Sequence, residues 1–231
     1  MFRCVVSASD DVSTPSPPPP STTPASPSTT SSSPPPLPPT NSTCNCGVAQ
    51  RETRVINGDP TEVHEYPWMV SLFWHEESRH WCGGSIISPL HVLTAAHCTY
   101  GKHPASDWTA RVGMHNYTDW AAQPHCPASV QSDTQNIAVA EILEHPNYRE
   151  WDKTWDVAIL TLASPITYST AAAPVCLPAS ASPLYDGLVA TVAGWGTVTH
   201  GSDHPPCVLQ EVNLTVITNS ECDEAIGNIV R

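Results

Sequence analysis

The sequence is poor in positive charge. Its 231 residues carry 9 Lys and Arg against 22 Asp and Glu, a formal charge of −13 with neutral histidines. No Lys/Arg cluster occurs, and only Arg3, Asp10 and Asp11 of the charged residues lie in the first 43 positions. This argues against nucleic acid and an anionic membrane surface as partners. Acidity alone does not name a cationic substrate. Long apolar runs are also missing. None reaches the roughly 18 residues of a membrane-spanning helix, and the first ten residues lack the apolar stretch of a secretory signal. There is no C-x-x-C pair, so neither a zinc ribbon nor a thioredoxin-type redox motif is indicated. Eleven histidines are present, but His75/His80, His91/His97 and His125-Cys126 have no convincing zinc-ligand spacing. No metal or other cofactor is expected. Calcium stays open, since Asp119, Asp133 and Glu141 match no clear loop spacing.

What is present is unevenly distributed. Residues 12–43 are almost entirely Pro, Ser and Thr, and such a stretch cannot bury enough apolar surface to offset its ordering entropy. Residues 1–43 read as a disordered stalk, either O-glycosylated or a bare linker. Residues 44–54 form a short lead-in containing Cys44-Asn45-Cys46-Gly47 and Arg51-Glu52-Thr53-Arg54. Residues 55–231 are long enough for a sizeable core. Nine cysteines, the mucin-like stretch and three sequons at Asn41, Asn116 and Asn213 together favour an oxidising, secreted setting. The setting reads as secreted and the first residues do not, so the true N-terminus is expected to lie upstream of Met1.

From Tyr66 the elements read as short and β-like: 68–74, 85–87, 92–95, 137–143, 157–162, 190–193 and 208–217. Val212, Leu214 and Val216 alternate with Glu211, Asn213 and Thr215, a period of two. Turn signals separate the runs, among them Gly83-Gly84, His145-Pro146-Asn147 and Gly194-Trp195-Gly196. Many short strands with turns predict an all-β sandwich or barrel. A helix is predicted from Asn219-Ser220, with Ser220 as its cap and Asp223-Glu224 in its first turn.

Two residues invite a chemical reading. His97, at the end of the apolar run Val92–Ala95, is by itself an ordinary hydrogen-bonded structural histidine. Asp156 precedes Val157-Ala158-Ile159-Leu160, a run that wants burial, and a buried carboxylate needs a partner. An imidazole N–H would serve, leaving the other ring nitrogen free to take a proton from a hydroxyl. The alternative is an aspartate that accepts backbone N–H groups at a turn. Six tryptophans, Trp74, Trp81, Trp108, Trp120, Trp151 and Trp155, offer either a substrate-facing rim or ordinary packing.

Trp81-Cys82-Gly83-Gly84-Ser85, Leu93-Thr94-Ala95-Ala96-His97-Cys98, Asp156-Val157-Ala158-Ile159-Leu160, Val175-Cys176-Leu177-Pro178 and Gly194-Trp195-Gly196 occur in this order. Together they resemble the chymotrypsin/trypsin-like serine endopeptidases over about residues 55–222. The resemblance implies two orthogonal Greek-key β-barrels with the active site between them. His97 would be the general base and then the general acid, and Asp156 would fix its tautomer. Cys82 would pair with Cys98, and Cys176 with Cys44 or Cys46. Cleavage after Arg54 would free an ammonium on Val55 that organises the substrate pocket. Cys126 and Cys207 lie outside the common pattern, paired with each other or with neither. Partners implied are a protein or peptide substrate, an upstream activating protease and protein inhibitors.

The nucleophile is not there. Neither Gly-Asp-Ser-Gly nor any Gly-x-Ser-x-Gly occurs in the sequence. The second barrel is therefore expected to be incomplete, and the chain as written to be inactive. The full gene product is expected to be an active peptidase. The rival reading is a non-catalytic protease homologue acting as a binding or regulatory module.

Overall fold

The computed structural model describes residues 45–50, 59–75, 79–102, 104–116, 126, 133–178, 185–198 and 206–229. The chain divides into a unit of residues 1–7 and 45–231 and a second unit of residues 8–44. All of the second unit, and with it the expected stalk, lies outside the described residues, as do Arg54, Val55, Asn41 and Cys44.

Nine strands and two helices make up the described part. They are β1 (Asp59–Pro60), β2 (Met69–Trp74), β3 (Arg79–Ser88), β4 (His91–Thr94), α1 (Ala96–Thr99), β5 (Trp108–Val112), β6 (Gln135–Glu144), β7 (Ala158–Leu162), β8 (Val189–Gly194), β9 (Gln210–Thr215) and α2 (Asn219–Ile229). Six strands close into an antiparallel barrel in the order β2-β3-β4-β7-β6-β5, with β5 returning to β2. The remaining three form an antiparallel sheet, β1-β9-β8. This all-β arrangement agrees with a double-barrel plan whose second barrel is open among the described residues.

Alternation along each strand decides what fills the barrel. Ala158, Leu160 and Leu162 of β7 point inward while Ile159 and Thr161 are half-buried. Leu160 and Leu162 meet Val70, Leu72, Ile86, Val92, Ala110, Val112, Ile137 and Val139 around Trp108, which is 1% exposed. Strand β2 differs because it is buried on both faces. Val70 and Leu72 fill the barrel, while Met69 and Phe73 pack outward with Met114, Trp195 and Leu209. That second cluster joins the barrel to the three-stranded sheet. The seam is closed by hydrogen bonds from Leu209 N–H to His115 O and Trp195 Nε1–H to His115 O.

Several sequence expectations need correction. Gly83-Gly84 is no turn but the middle of the ten-residue β3. A Cβ on Gly84 would sit 2.8 Å from Val92 Cγ1 and 3.1 Å from Leu93 O, so glycine there permits close approach of β3 to β4. Strand β5 was not anticipated, although Trp108, Ala110 and Val112 alternate as a half-buried strand should. Helix α2 is capped by Thr218, not Ser220. The Thr218 hydroxyl accepts the Glu221 N–H and the Glu221 carboxylate accepts the Thr218 N–H, a reciprocal capping box. On β9, Val212 and Leu214 are 36% and 51% exposed, as an unclosed barrel requires.

Three disulfides tie the described part: Cys46–Cys176, Cys82–Cys98 and Cys126–Cys207. The first chooses Cys46 over Cys44, and the third resolves the pairing left open. Cys222 is free.

Candidate active site

His97 reaches the site from a single helical turn rather than from a strand end. Strand β4 stops at Thr94, Ala95 stays extended, and Ala96–Thr99 form α1. Two alanines in a row suit this corner because both are buried, at 2% and 0% exposure, and Ala96 packs against Tyr148 and Ala158. The Cys82–Cys98 disulfide holds the turn from one side. The indole N–H of Trp81 holds it from another, donating to Cys98 O at 3.2 Å. Thr99 adds a hydroxyl bond to Glu144 on β6 at 2.8 Å.

Asp156 comes from the segment between β6 and β7, two residues before β7 begins at Ala158. Its Oδ1 accepts the His97 backbone N–H at 2.7 Å, and its Oδ2 lies 2.7 Å from His97 Nδ1. Both acceptor oxygens are thus committed to one residue, and both open readings of Asp156 are realised together: it pairs with the imidazole and also accepts a backbone N–H. The Asp156 side chain is 14% exposed and the His97 side chain 39%. Burial works against the charge on Asp156, but the two His97 hydrogen bonds and the attraction of the imidazole outweigh it. They hold the carboxyl below its ordinary value.

The chemistry follows from this. An ionised carboxylate only accepts, so Nδ1 carries the ring proton and Nε2 presents a lone pair. At Nε2 the neighbour is the Cys98 sulfur at 3.7 Å, which belongs to a disulfide and has no proton to give. A ring fixed in this tautomer, on a side chain 39% exposed, is arranged to take a proton from a hydroxyl.

Cys82, His97 and Cys98 also lie within mutual metal-ligand distance. Their two sulfurs are bonded to each other, so they are not thiolates and offer no zinc site in this state.

The amino-acid sequence has matches among known proteins. The family model described as Trypsin matches residues 55–231. The chain belongs to the trypsin family. It is 33% identical over 175 residues to mouse Ovochymase-2, covering 75% of this chain and 27% of that protein. It is 30% identical over 186 residues to the Clotting factor G beta subunit of Tachypleus tridentatus, covering 78% and 56%. It is 32% identical over 184 residues to the Suppressor of tumorigenicity 14 protein homolog of Bos taurus, covering 76% and 20%. The chain therefore spans between a fifth and just over half of the length of these relatives.

Other predicted positions fall as follows. Asn213 is exposed on β9, its carbonyl accepting the Thr191 hydroxyl at 2.8 Å. Asn116 is only 7% exposed and bridges to Val208. Trp108 is core and Trp151 is 79% exposed. Trp120 and Asp119 lie outside the described residues. No helix among the described residues is long and apolar enough to cross a membrane.

Two further residues near these elements have surroundings that the sequence reading did not foresee. His80, on β3, sits between Phe73 and Trp195, edge-on to both, with Nδ1 2.5 Å from Ser71 Oγ. Burial pushes its pKa down to about 4. The second is His145, read only as part of a turn signal, whose ring stacks on Trp155.

Proposed function

We propose that this chain is the greater part of a serine endopeptidase domain that hydrolyses peptide bonds through an acyl-enzyme. His97 is its general base and then its general acid. Asp156 holds the His97 tautomer and stabilises the imidazolium. The observation that carries this reading is the doubly anchored Asp156, with the ring and the backbone N–H of His97 both at 2.7 Å. The Cys46–Cys176 disulfide supports a zymogen cut after Arg54. It would keep residues before the cut attached to the domain once Val55 is free. Three disulfides support an extracellular setting, and the exposed Asn213 supports a glycan there rather than at Asn116. Proteins or peptides are the substrates, an arginine-tolerant protease is the activator, and protein inhibitors are the natural regulators.

By itself the 231-residue chain does not hydrolyse peptides, because it holds no Gly-Asp-Ser-Gly serine for His97 to activate. The same observation favours a second reading, a non-catalytic homologue that binds partners through this scaffold. Sequencing the transcript beyond the Arg231 codon and assaying the encoded product after cleavage at Arg54 separates the two. Gly-Asp-Ser-Gly with amide hydrolysis supports the peptidase. A substituted serine and no hydrolysis supports the homologue.

A further inference from the structure

The dyad depends on where Asp156 points, and its own flanks set that direction. Trp155 has φ +60°, a left-handed conformation that a bulky side chain rarely adopts and that glycine or asparagine would adopt with less strain. Burial does not explain the tryptophan, since it is 56% exposed. What the indole does contribute is a stack: its ring lies on the His145 imidazole, centroids 4.6 Å apart and planes 6° from parallel.

His145 also holds the other side of Asp156. Strands β6 and β7 end their register at Glu144 and Ala158. One residue further, the His145 N–H donates to Val157 O at 3.0 Å. The Val157 N–H in turn donates to Trp155 O at 2.8 Å, closing a three-residue turn with Asp156 at its apex. The His145 ring is itself oriented, because Asn147 N–H donates to its Nδ1 at 3.2 Å. The residue before Asp156 is thus held by the His145 ring and the residue after it by the His145 main chain.

The geometry points to His145 and Trp155 as positioning residues for the Asp156–His97 pair. Their stack keeps the strained turn that aims both carboxylate oxygens at His97. This rests on the proposed role of the dyad, but it is tested without turnover. In the disulfide-intact 231-residue chain, NMR reads the low-field Nδ1–H resonance of His97 and the titration of the Asp156 carboxyl carbon. Thermal unfolding is followed alongside.

His145→Ala is expected to expose the Nδ1 proton to exchange with water, so that its resonance is lost. The Asp156 midpoint should rise toward that of an ordinary carboxyl. Trp155→Gly should do the same even though it relieves the left-handed strain. His145→Phe, which keeps a ring for the stack, should restore both signals. A merely structural role would lower the unfolding temperature and leave the resonance and the Asp156 midpoint where they are. That result, in either His145→Ala or Trp155→Gly, overturns the proposal, as does a His145→Phe variant no better than His145→Ala. Failure of the peptidase reading would show as a complete product that does not turn over, and would leave these signals unchanged.

Discussion

His80 should make this fold acid-sensitive by a predictable amount. Its ordinary pKa of 6.5 is pushed down to about 4 by burial between Phe73 and Trp195, so the folded protein favours the neutral ring. Above the unfolded value both states are neutral at this position and nothing is lost. As the pH falls from 6.5 toward 4, the unfolded chain takes up a proton that the folded chain refuses. Stability drops by about 1.4 kcal/mol per pH unit, roughly 3 kcal/mol in all, and the loss levels off below the folded pKa. That is a large share of a typical domain's stability. The perturbation is His80→Gln, which keeps a hydrogen-bonding group near Ser71 and cannot titrate. The assay is urea unfolding of both chains, disulfides intact, at about pH 7 and about pH 4.5. His64 and His115 are also held low by burial, but they titrate alike in both chains and cancel in the difference. The wild type should lose about 2.5 kcal/mol more than the variant over this interval. A differential loss under about 1 kcal/mol would refute the reasoning.

Four further variants have expected outcomes set by their surroundings. Gly113→Ala should destabilise the barrel by about 2 kcal/mol or more, because φ is +75° and a Cβ would stand 2.6 Å from Asp133 O. Gly101→Ala, at φ +64° with nothing within 4 Å, should cost only about 1 kcal/mol by the same urea assay. Cys46→Ser should release the segment before Val55 after cleavage at Arg54, seen as two bands on a non-reducing gel where the parent gives one. By chain entropy, the 130-residue closure also contributes about 5 kcal/mol to the uncleaved chain. Asp156→Asn in the complete product should lower kcat about 10⁴-fold by presenting the wrong tautomer. A KM that changes little would show that substrate binding is unaffected.

Much of the plan was legible because it rests on local pattern. The strands around Val70, Val92, Val139 and Leu160 follow from alternation and β-branched residues. The order of the Cys-Gly-Gly, Ala-Ala-His-Cys and Asp-Val-Ala-Ile-Leu segments named the family that the Trypsin match then showed. Errors arose where one residue type serves two purposes. Gly83-Gly84 looks like a turn, yet glycine there admits a neighbouring strand. Ser220 looks like a cap, but Thr218 lies three residues before Glu221 and the box forms there. Trp108 and Trp151 are alike in sequence, and only the closed register of β5 against β2 and β6 buries the first. The sequon at Asn116 is sound as a motif and buried as a residue. The roles of His80 and His145 depend on ring contacts with Trp195 and Trp155, residues 115 and 10 positions away, and no local signal encodes them.

The central claim is that His97 is a competent general base in a chain without its nucleophile. Fluorophosphonate labelling of two samples tests it most directly: the purified 231-residue chain, and the complete product cleaved at Arg54. No label is expected on the first. Stoichiometric label is expected on the serine of the second, slowed by orders of magnitude in His97→Ala. Label on the 231-residue chain, or a folded and cleaved product with an intact Gly-Asp-Ser-Gly that takes none, would contradict it.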